Sequence, residues 1–218
     1  MIIAYGSGRN GKSTFFNTIA RVMGSYSTTI NAQILVEQDP SKNRFATSGL
    51  RGKRYALAAE LADSTILNDA VIKQMTSTDM IHAEKKYKDE FEFKPSHTLV
   101  LYTNYLPKVK STDTGIWRRL VVVPFNAVIP ESDTKLDFAQ QLFDNAAPAI
   151  LKWMIIGAGR VIGAGGRIAR PECVRRAIDT YQAANDWMNE FISECCVRGE
   201  NLTVKKKALY DVYKSYAK

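Results

Sequence analysis

Nine residues near the start of the chain, Gly6-Ser7-Gly8-Arg9-Asn10-Gly11-Lys12-Ser13-Thr14, restrict its fold more than any other stretch. They fit G-x-x-x-x-G-K-[ST], a glycine-rich loop whose backbone N–H groups cradle phosphates. The flanks have matching periodicities. Met1-Ile2-Ile3-Ala4-Tyr5 is an apolar run of strand length, and Thr14 to Met23 sets Phe15, Ile19, Val22 and Met23 at helical spacing ahead of Gly24. Strand, turn and helix in that order bring a helix N-terminus, with its partial positive charge, to the phosphates. Gly6 to Thr14 are therefore the candidate nucleotide-binding residues. Lys12 is spaced to reach the β- and γ-phosphates of a nucleoside triphosphate, and the Ser13 hydroxyl to ligate Mg²⁺.

The stretches downstream alternate between strand and helix. Residues 25–51 are rich in Ser, Thr, Asn and Gln, with an apolar patch at Ile34-Leu35-Val36, and read as a loop with one short strand or helix. Lys42, Arg44, Arg51, Lys53 and Arg54 form a basic run that suits a solvated loop or a phosphate contact. Tyr55-Ala56-Leu57-Ala58-Ala59 reads as a buried strand closed by Glu60. An acid there, downstream of a phosphate loop, orients Mg²⁺ or polarises the attacking water. Asp63 to Met75 predicts a helix capped by Asp63 or Ser64. Asp79 to Lys94 predicts a β-hairpin with Lys85, Lys86 and Lys88 near its tip, in a mixed charge of four Lys against five Asp and Glu. Thr98 to Thr103 is a further buried strand with Asn104 at its C-terminal end. Ligands collect at that end of strands in open α/β sheets, which puts Asn104 beside Ser13 and Glu60 as a holder of the lytic water. Gly115-Ile116-Trp117-Arg118-Arg119 leads into a last strand, Leu120 to Phe125. Its two arginines suit an interface pair or an arginine finger reaching a neighbour's γ-phosphate.

Beyond Pro130 the pattern is helical. One helix is expected from Leu136 to about Val161, a glycine cluster at 163–166 breaks it, and Pro171 restarts a helix to about Val197. Lys205-Lys206-Lys207 precedes Leu209, Tyr210, Val212, Tyr213 and Tyr216, an amphipathic helix with a basic start. The expected plan is a nucleotide-binding core over 1–128, a helical region over 129–200, and a basic tail over 201–218. The tail suits the start of a winged-helix module or a solvated last helix. A net charge of +8 favours a polyanionic partner. Three cysteines (Cys173, Cys195, Cys196), with no C-x-x-C pair, speak against zinc and disulfides and for a reducing, cytoplasmic setting. No uninterrupted apolar run approaches the roughly 18 residues that span a bilayer, so no membrane partner is expected. The chain opens directly on the strand ahead of the phosphate loop, which is expected of a piece of a longer protein.

Taken in order, the motifs resemble the superfamily 3 helicase domain, in its phage and plasmid primase–helicase branch, related to the poxvirus primase–helicase. The residues carrying the resemblance are Gly6 to Thr14, Gly52-Lys53-Arg54 before the strand to Glu60, and Phe93-Lys94-Pro95 before the strand to Asn104. Thr103-Asn104-Tyr105-Leu106-Pro107 and Gly115 to Arg119 complete it. The resemblance spans residues 1 to about 195 and is densest over 1–125. It implies an α/β fold with an AAA+-like P-loop NTPase core, a central mostly parallel sheet, and a C-terminal helical region. It also implies ATP and Mg²⁺ as ligands, hydrolysis between subunits of a homo-hexameric ring, and a single strand of DNA or a replication fork as partner. A primase or loader is a further implied partner, and the implied origin is a phage, plasmid or integrated element in a host-cell cytoplasm. By the same resemblance Glu60 is the acid, Asn104 the polar sensor, and Arg118 or Arg119 the finger acting in trans. Ser13 and Glu60 are the metal contacts, and Lys85 and Lys86, with Lys88, the channel-hairpin bases. Ala59 stands where the family often has a second acid, and Ser77-Thr78-Asp79 where it has Gly-Gly-Asp. The rival expectation is an ATP-binding scaffold that binds nucleic acid without unwinding it.

Overall fold

The computed structural model describes residues 1–36, 47–85, 89–110 and 114–216. Its centre is a five-stranded sheet of β1 (Ile2–Tyr5), β2 (Ser27–Ile30), β3 (Tyr55–Ala59), β6 (Thr98–Thr103) and β7 (Val121–Pro124). The strand order is β2-β3-β6-β1-β7 and every pairing is parallel. Parallel strands are covered on both faces, so they read as continuous apolar runs rather than alternating ones. The pleat then sorts the side chains. Ile3, Ala56, Ala58, Leu99, Leu101 and Val122 belong to the larger core cluster. Ala4, Tyr55, Leu57 and Val100 belong to a second cluster with Phe16 of helix α1 (Lys12–Met23). Truncating a side chain such as Leu101, fully buried, to alanine costs about 2–5 kcal/mol.

The expected α/β class with a parallel central sheet and C-terminal helices is what the chain adopts. Three local expectations are corrected. The helix predicted from Asp63 is only α2 (Asp69–Met75), capped by Asn68, whose side chain accepts from the N–H groups of Ala70 and Val71. The segment before it is drawn away, because Leu67 N–H donates to Lys108 C=O at 2.9 Å and Lys108 N–H to Thr65 C=O at 2.6 Å. The helix predicted from Pro171 to Val197 is two, α5 (Glu172–Ala184) and α6 (Trp187–Cys195), with Asp186 capping the second. The patch Ile34-Leu35-Val36 is a 3₁₀ turn over Ala32–Leu35, and the strand nearby is the polar edge strand β2.

The predicted hairpin is present as β4 (Ile81–Glu84) antiparallel to β5 (Glu90–Phe93). Ile81, Ala83 and Phe93 anchor it in the main core, while Lys85 at the end of β4 is exposed. Lys86 and Lys88 lie outside the described residues. A one-turn helix α3 (Thr114–Trp117) leads into β7. Helix α4 (Phe138–Gly163) lies along α1, with the Phe15 and Trp153 rings 6.4 Å apart, and α7 (Lys206–Tyr216) closes the chain. Trp153, Ile155, Ile156 and Ile162 of α4 remain exposed. By length and composition α4 is long and apolar enough to cross a membrane. A search for uninterrupted runs passes over it because Asp144, Lys152 and Arg160 divide the sequence.

Candidate nucleotide site

The loop from Gly6 to Gly11 leaves the C-terminal end of β1 and enters α1 at Lys12. Gly11 caps α1 in a left-handed conformation (φ 79°) and brings no side-chain acceptor, and the first turn has no acid. Lys12 N–H donates to Asn10 Oδ1 at 3.4 Å, and the N–H groups of Ser13 and Thr14 are left for an external anion. Lys12 is 4% exposed. Its ammonium donates to Gly6 C=O (2.5 Å), Asn10 Oδ1 (3.0 Å), Ser7 C=O (3.3 Å) and Asn104 Oδ1 (3.3 Å). Burial pulls its pKa below the usual lysine value, and the Glu60 carboxylate pushes it back up. An ammonium held this way, with mostly uncharged partners, is matched by an anion such as phosphate.

Glu60 and Asn104 meet at this place because β3 and β6 are parallel neighbours that end at the same level. The ladder runs on to Glu60, whose N–H donates to Tyr102 C=O at 3.0 Å. Asn104 Nδ2 donates to Glu60 Oε2 at 3.4 Å, so Lys12, Asn104 and Glu60 form one chain of polar contacts. Glu60 sits at φ 55°, uncommon for a residue with a side chain. Such a backbone stores about 1–3 kcal/mol, typically where function fixes a side chain.

A cavity of about 750 Å³ collects these groups. Gly8, Arg9, Asn10, Gly11, Lys12, Ser13 and Thr14 line one side, with Glu60 and Asn104 at the end of the sheet. The opposite wall was not expected. It is a strap over residues 129–138, from which Ser132, Asp133, Thr134, Lys135 and Phe138 enter the same cavity. The strap is tied to the loop by its backbone: Ile129 N–H donates to Arg9 C=O at 2.7 Å. An exposed Arg9–Glu131 ion pair at 3.7 Å runs beside it. Asp133 supplies a second carboxylate to a cavity in which the sequence offered only Glu60. One backbone bond and the exposed Arg9–Glu131 and Arg21–Asp137 ion pairs hold the strap, none of them a motif that marks it in the sequence. The acid at Glu131 and Asp133, following Pro130, was the available signal.

The loop is also packed tightly from behind. Asn10 Nδ2 donates to Ser7 C=O in a short bond and to Phe125 C=O at 3.1 Å. A Cβ on Gly6 would lie 2.3 Å from the Phe125 carbonyl oxygen and 2.7 Å from Asn10 Nδ2. Gly6→Ala is expected to destabilise the fold by about 2 kcal/mol. That corresponds to a Tm lower by roughly 4–8 °C for a chain of this size, read by calorimetry. An unchanged Tm would contradict the packing described.

Arg118 and Arg119 are not brought to this cavity. They precede β7, at the edge of the sheet where the parallel strands begin, whereas the loop leaves where they end. Four residues of strand separate the two edges by roughly 10–15 Å. Arg119 is engaged locally, its Nη1 donating to Gly115 C=O at 2.7 Å, whereas Arg118 is exposed. Lys85, on the hairpin, is not among the residues lining the cavity either.

A family model described as "Family of unknown function (DUF5906)" matches residues 4–119, more than half of the 218. Among curated proteins, "Putative helicase 022R" of Frog virus 3 (isolate Goorha) is 26% identical over 233 aligned residues. That match takes in 97% of this chain and 23% of the viral protein. "Putative helicase L207/L206" of Acanthamoeba polyphaga mimivirus is 34% identical over 122 residues, 55% of this chain and 13% of that protein. "Putative primase C962R" of African swine fever virus (strain Badajoz 1971 Vero-adapted) is 29% identical over 123 residues, again 55% and 13%. The chain thus spans less than a quarter of the length of these relatives. Among solved structures, the C-terminal region of NrS-1 superposes with a TM-score of 0.51 at 18% identity, covering 67% of this chain and 34% of that one. This likeness is one of fold.

Proposed function

We propose, from the premise that this chain belongs to the DUF5906 family of unknown function, that it is the ATP-hydrolysing motor of a superfamily 3 replication helicase. The observation that carries the reading is the convergence of Lys12, Asn104 and Glu60 at the end of the sheet beside an uncapped helix N-terminus. The names of the viral relatives, helicases and primases, support the same direction.

In this reading Lys12 meets the β- and γ-phosphates of ATP. The Ser13 hydroxyl and the Glu60 carboxylate would hold Mg²⁺, with Asp133 in the same cavity, and the ion would supply charge neutralisation at the phosphates. Glu60 and Asn104 orient the attacking water in line with the γ-phosphate. Electrostatic stabilisation by fixed groups supplies most of the rate. Arg118 stands at the edge of the sheet away from the cavity of its own chain, so that arginine acts on a neighbour's nucleotide. A ring, expected to be a hexamer, satisfies this geometry, and the exposed Ile155 and Ile162, which share one face of α4, give a second copy a surface to cover. Lys85, with Lys86 and Lys88, meets single-stranded DNA, and a primase or loader acts beside the motor in the replication of a virus, phage or plasmid.

Glu60→Gln separates this reading from a scaffold that only binds ATP. The variant is expected to bind a non-hydrolysable ATP analogue as the parent does, while hydrolysis falls about 10²–10³-fold. Hydrolysis and analogue binding both unchanged would remove Glu60 from the mechanism.

A further inference from the structure

A second cavity, of about 440 Å³, opens at the same edge of the sheet, between residues 106–110 and helices α5 and α6. Its floor is fixed. Tyr181 O–H donates to Pro107 C=O in a short, buried bond, and Val109 N–H donates to Asn185 Oδ1 at 2.7 Å. The exposed Lys108 and Lys110 line this opening together with Trp187, and Glu190 is the one acid among the described lining residues.

Trp187 is the inner end of an aromatic line. Its ring lies 5.3 Å from Tyr213, and Tyr213 lies 6.4 Å from Tyr210. The Lys214 ammonium sits 4.7 Å over the Tyr210 ring. Lys206, Tyr210, Tyr213 and Lys214 share one face of α7, at spacings of four, three and one residues. Docking of α7 on α6 does not require the whole line. Phe191, 2% exposed, already packs against Tyr213 and Tyr216, whereas Trp187 and Tyr210 stay 36% and 55% exposed. Exposed aromatic faces interleaved with lysines bind single strands without sequence preference: bases stack and phosphates pair with ammonium groups.

We propose that this groove is a second single-stranded nucleic-acid site, with one base stacked on Trp187 and flanking phosphates on Lys108 and Lys110. The strand then leaves along Tyr210 and Lys214. The proposal rests on the reading of the chain as a nucleic-acid motor and adds a contact surface away from the β4–β5 hairpin. It also gives the motor a short link between its two ligands. Residues 105–110 directly continue from Asn104, which contacts both Lys12 and Glu60. A strand seated in the groove and a nucleotide in the larger cavity therefore pull on one segment, and each is expected to alter the other's affinity reciprocally.

The test is fluorescence anisotropy of a labelled oligothymidylate with the full chain, with and without a non-hydrolysable ATP analogue. Trp187→Ala is expected to weaken binding about 10-fold, within the range for loss of one stacked base, and Trp187→Phe to restore most of it. The double variant Lys108→Ala/Lys110→Ala should weaken binding and reduce the salt slope by about 1–2. Analogue binding by each variant confirms an intact nucleotide site. Parent-like oligonucleotide affinity in both Trp187→Ala and the double variant would overturn the groove and leave the motor reading standing. A parent chain that binds no oligonucleotide in either condition would overturn both. Cross-linking of a 5-iodouracil oligonucleotide to Trp187 supports the site, and cross-linking confined to residues 81–93 counts against it.

Discussion

Lys12→Ala is expected to abolish measurable ATP hydrolysis, a loss of at least about 10²-fold, and to weaken binding of an ATP analogue in parallel. The expectation follows from what surrounds the ammonium. It is almost fully buried, its four acceptors include the carbonyl groups of its own loop, and burial already pulls its pKa below the usual lysine value. A charge kept under those conditions is kept for a stronger anionic partner. Removing it also takes a donor from Gly6 C=O and Asn104 Oδ1, so the variant's Tm must be read beside its activity. A folded Lys12→Ala protein that hydrolyses ATP at the parent rate would remove the loop from the chemistry.

Arg118→Ala carries the second large effect. An arginine finger contributes about 10³–10⁵ in rate, and a loss of at least about 10³-fold in the assembled protein is expected. On the proposed reading the effect is intermolecular. Arg118 stands at the edge of the sheet where strands begin, and Lys12 stands where they end. Mixing Arg118→Ala with Lys12→Ala protein is therefore expected to restore part of the activity, because one interface in a mixed assembly joins an intact loop to an intact arginine. Arg119→Ala is expected to act mainly on stability, since Arg119 Nη1 already donates to the Gly115 carbonyl. Partial rescue would be read by steady-state hydrolysis of the mixture. No rescue at any mixing ratio would count against a finger acting in trans.

The parts of this fold legible in the sequence were those where burial alone decides the outcome. β3 and β6 lie inside a parallel sheet, so Tyr55–Ala59 and Thr98–Thr103 read as unbroken apolar strands, and the polar residue ending each run marked Glu60 and Asn104. The edge strand β2 was hidden because Ser27-Thr28-Thr29 has only one neighbour and need not be apolar. The stretch 63–68 has helical spacing, but its backbone pairs with Lys108 instead, a tertiary contact that no local pattern records. The break between α5 and α6 has a similar origin. Asn185 spends its side chain on Val109 N–H and Tyr181 C=O, and Asp186 then caps a new helix. At the candidate site, the glycine motif and the two strand ends were visible, whereas the strap over 129–138 was not. It is joined to the loop through Ile129 N–H and Arg9 C=O, and backbone bonds leave no signature in residue identity.

On the proposed reading one chain carries half of a hydrolytic site and completes it with a second copy on single-stranded DNA. Steady-state ATP hydrolysis per protomer, followed over a wide range of protein concentration with and without oligothymidylate, tests it most directly. A low rate is expected at dilutions where the chain is monomeric, rising with concentration and rising further when the single strand is present. A high rate per protomer that stays flat down to monomeric dilution and ignores the oligonucleotide would contradict it.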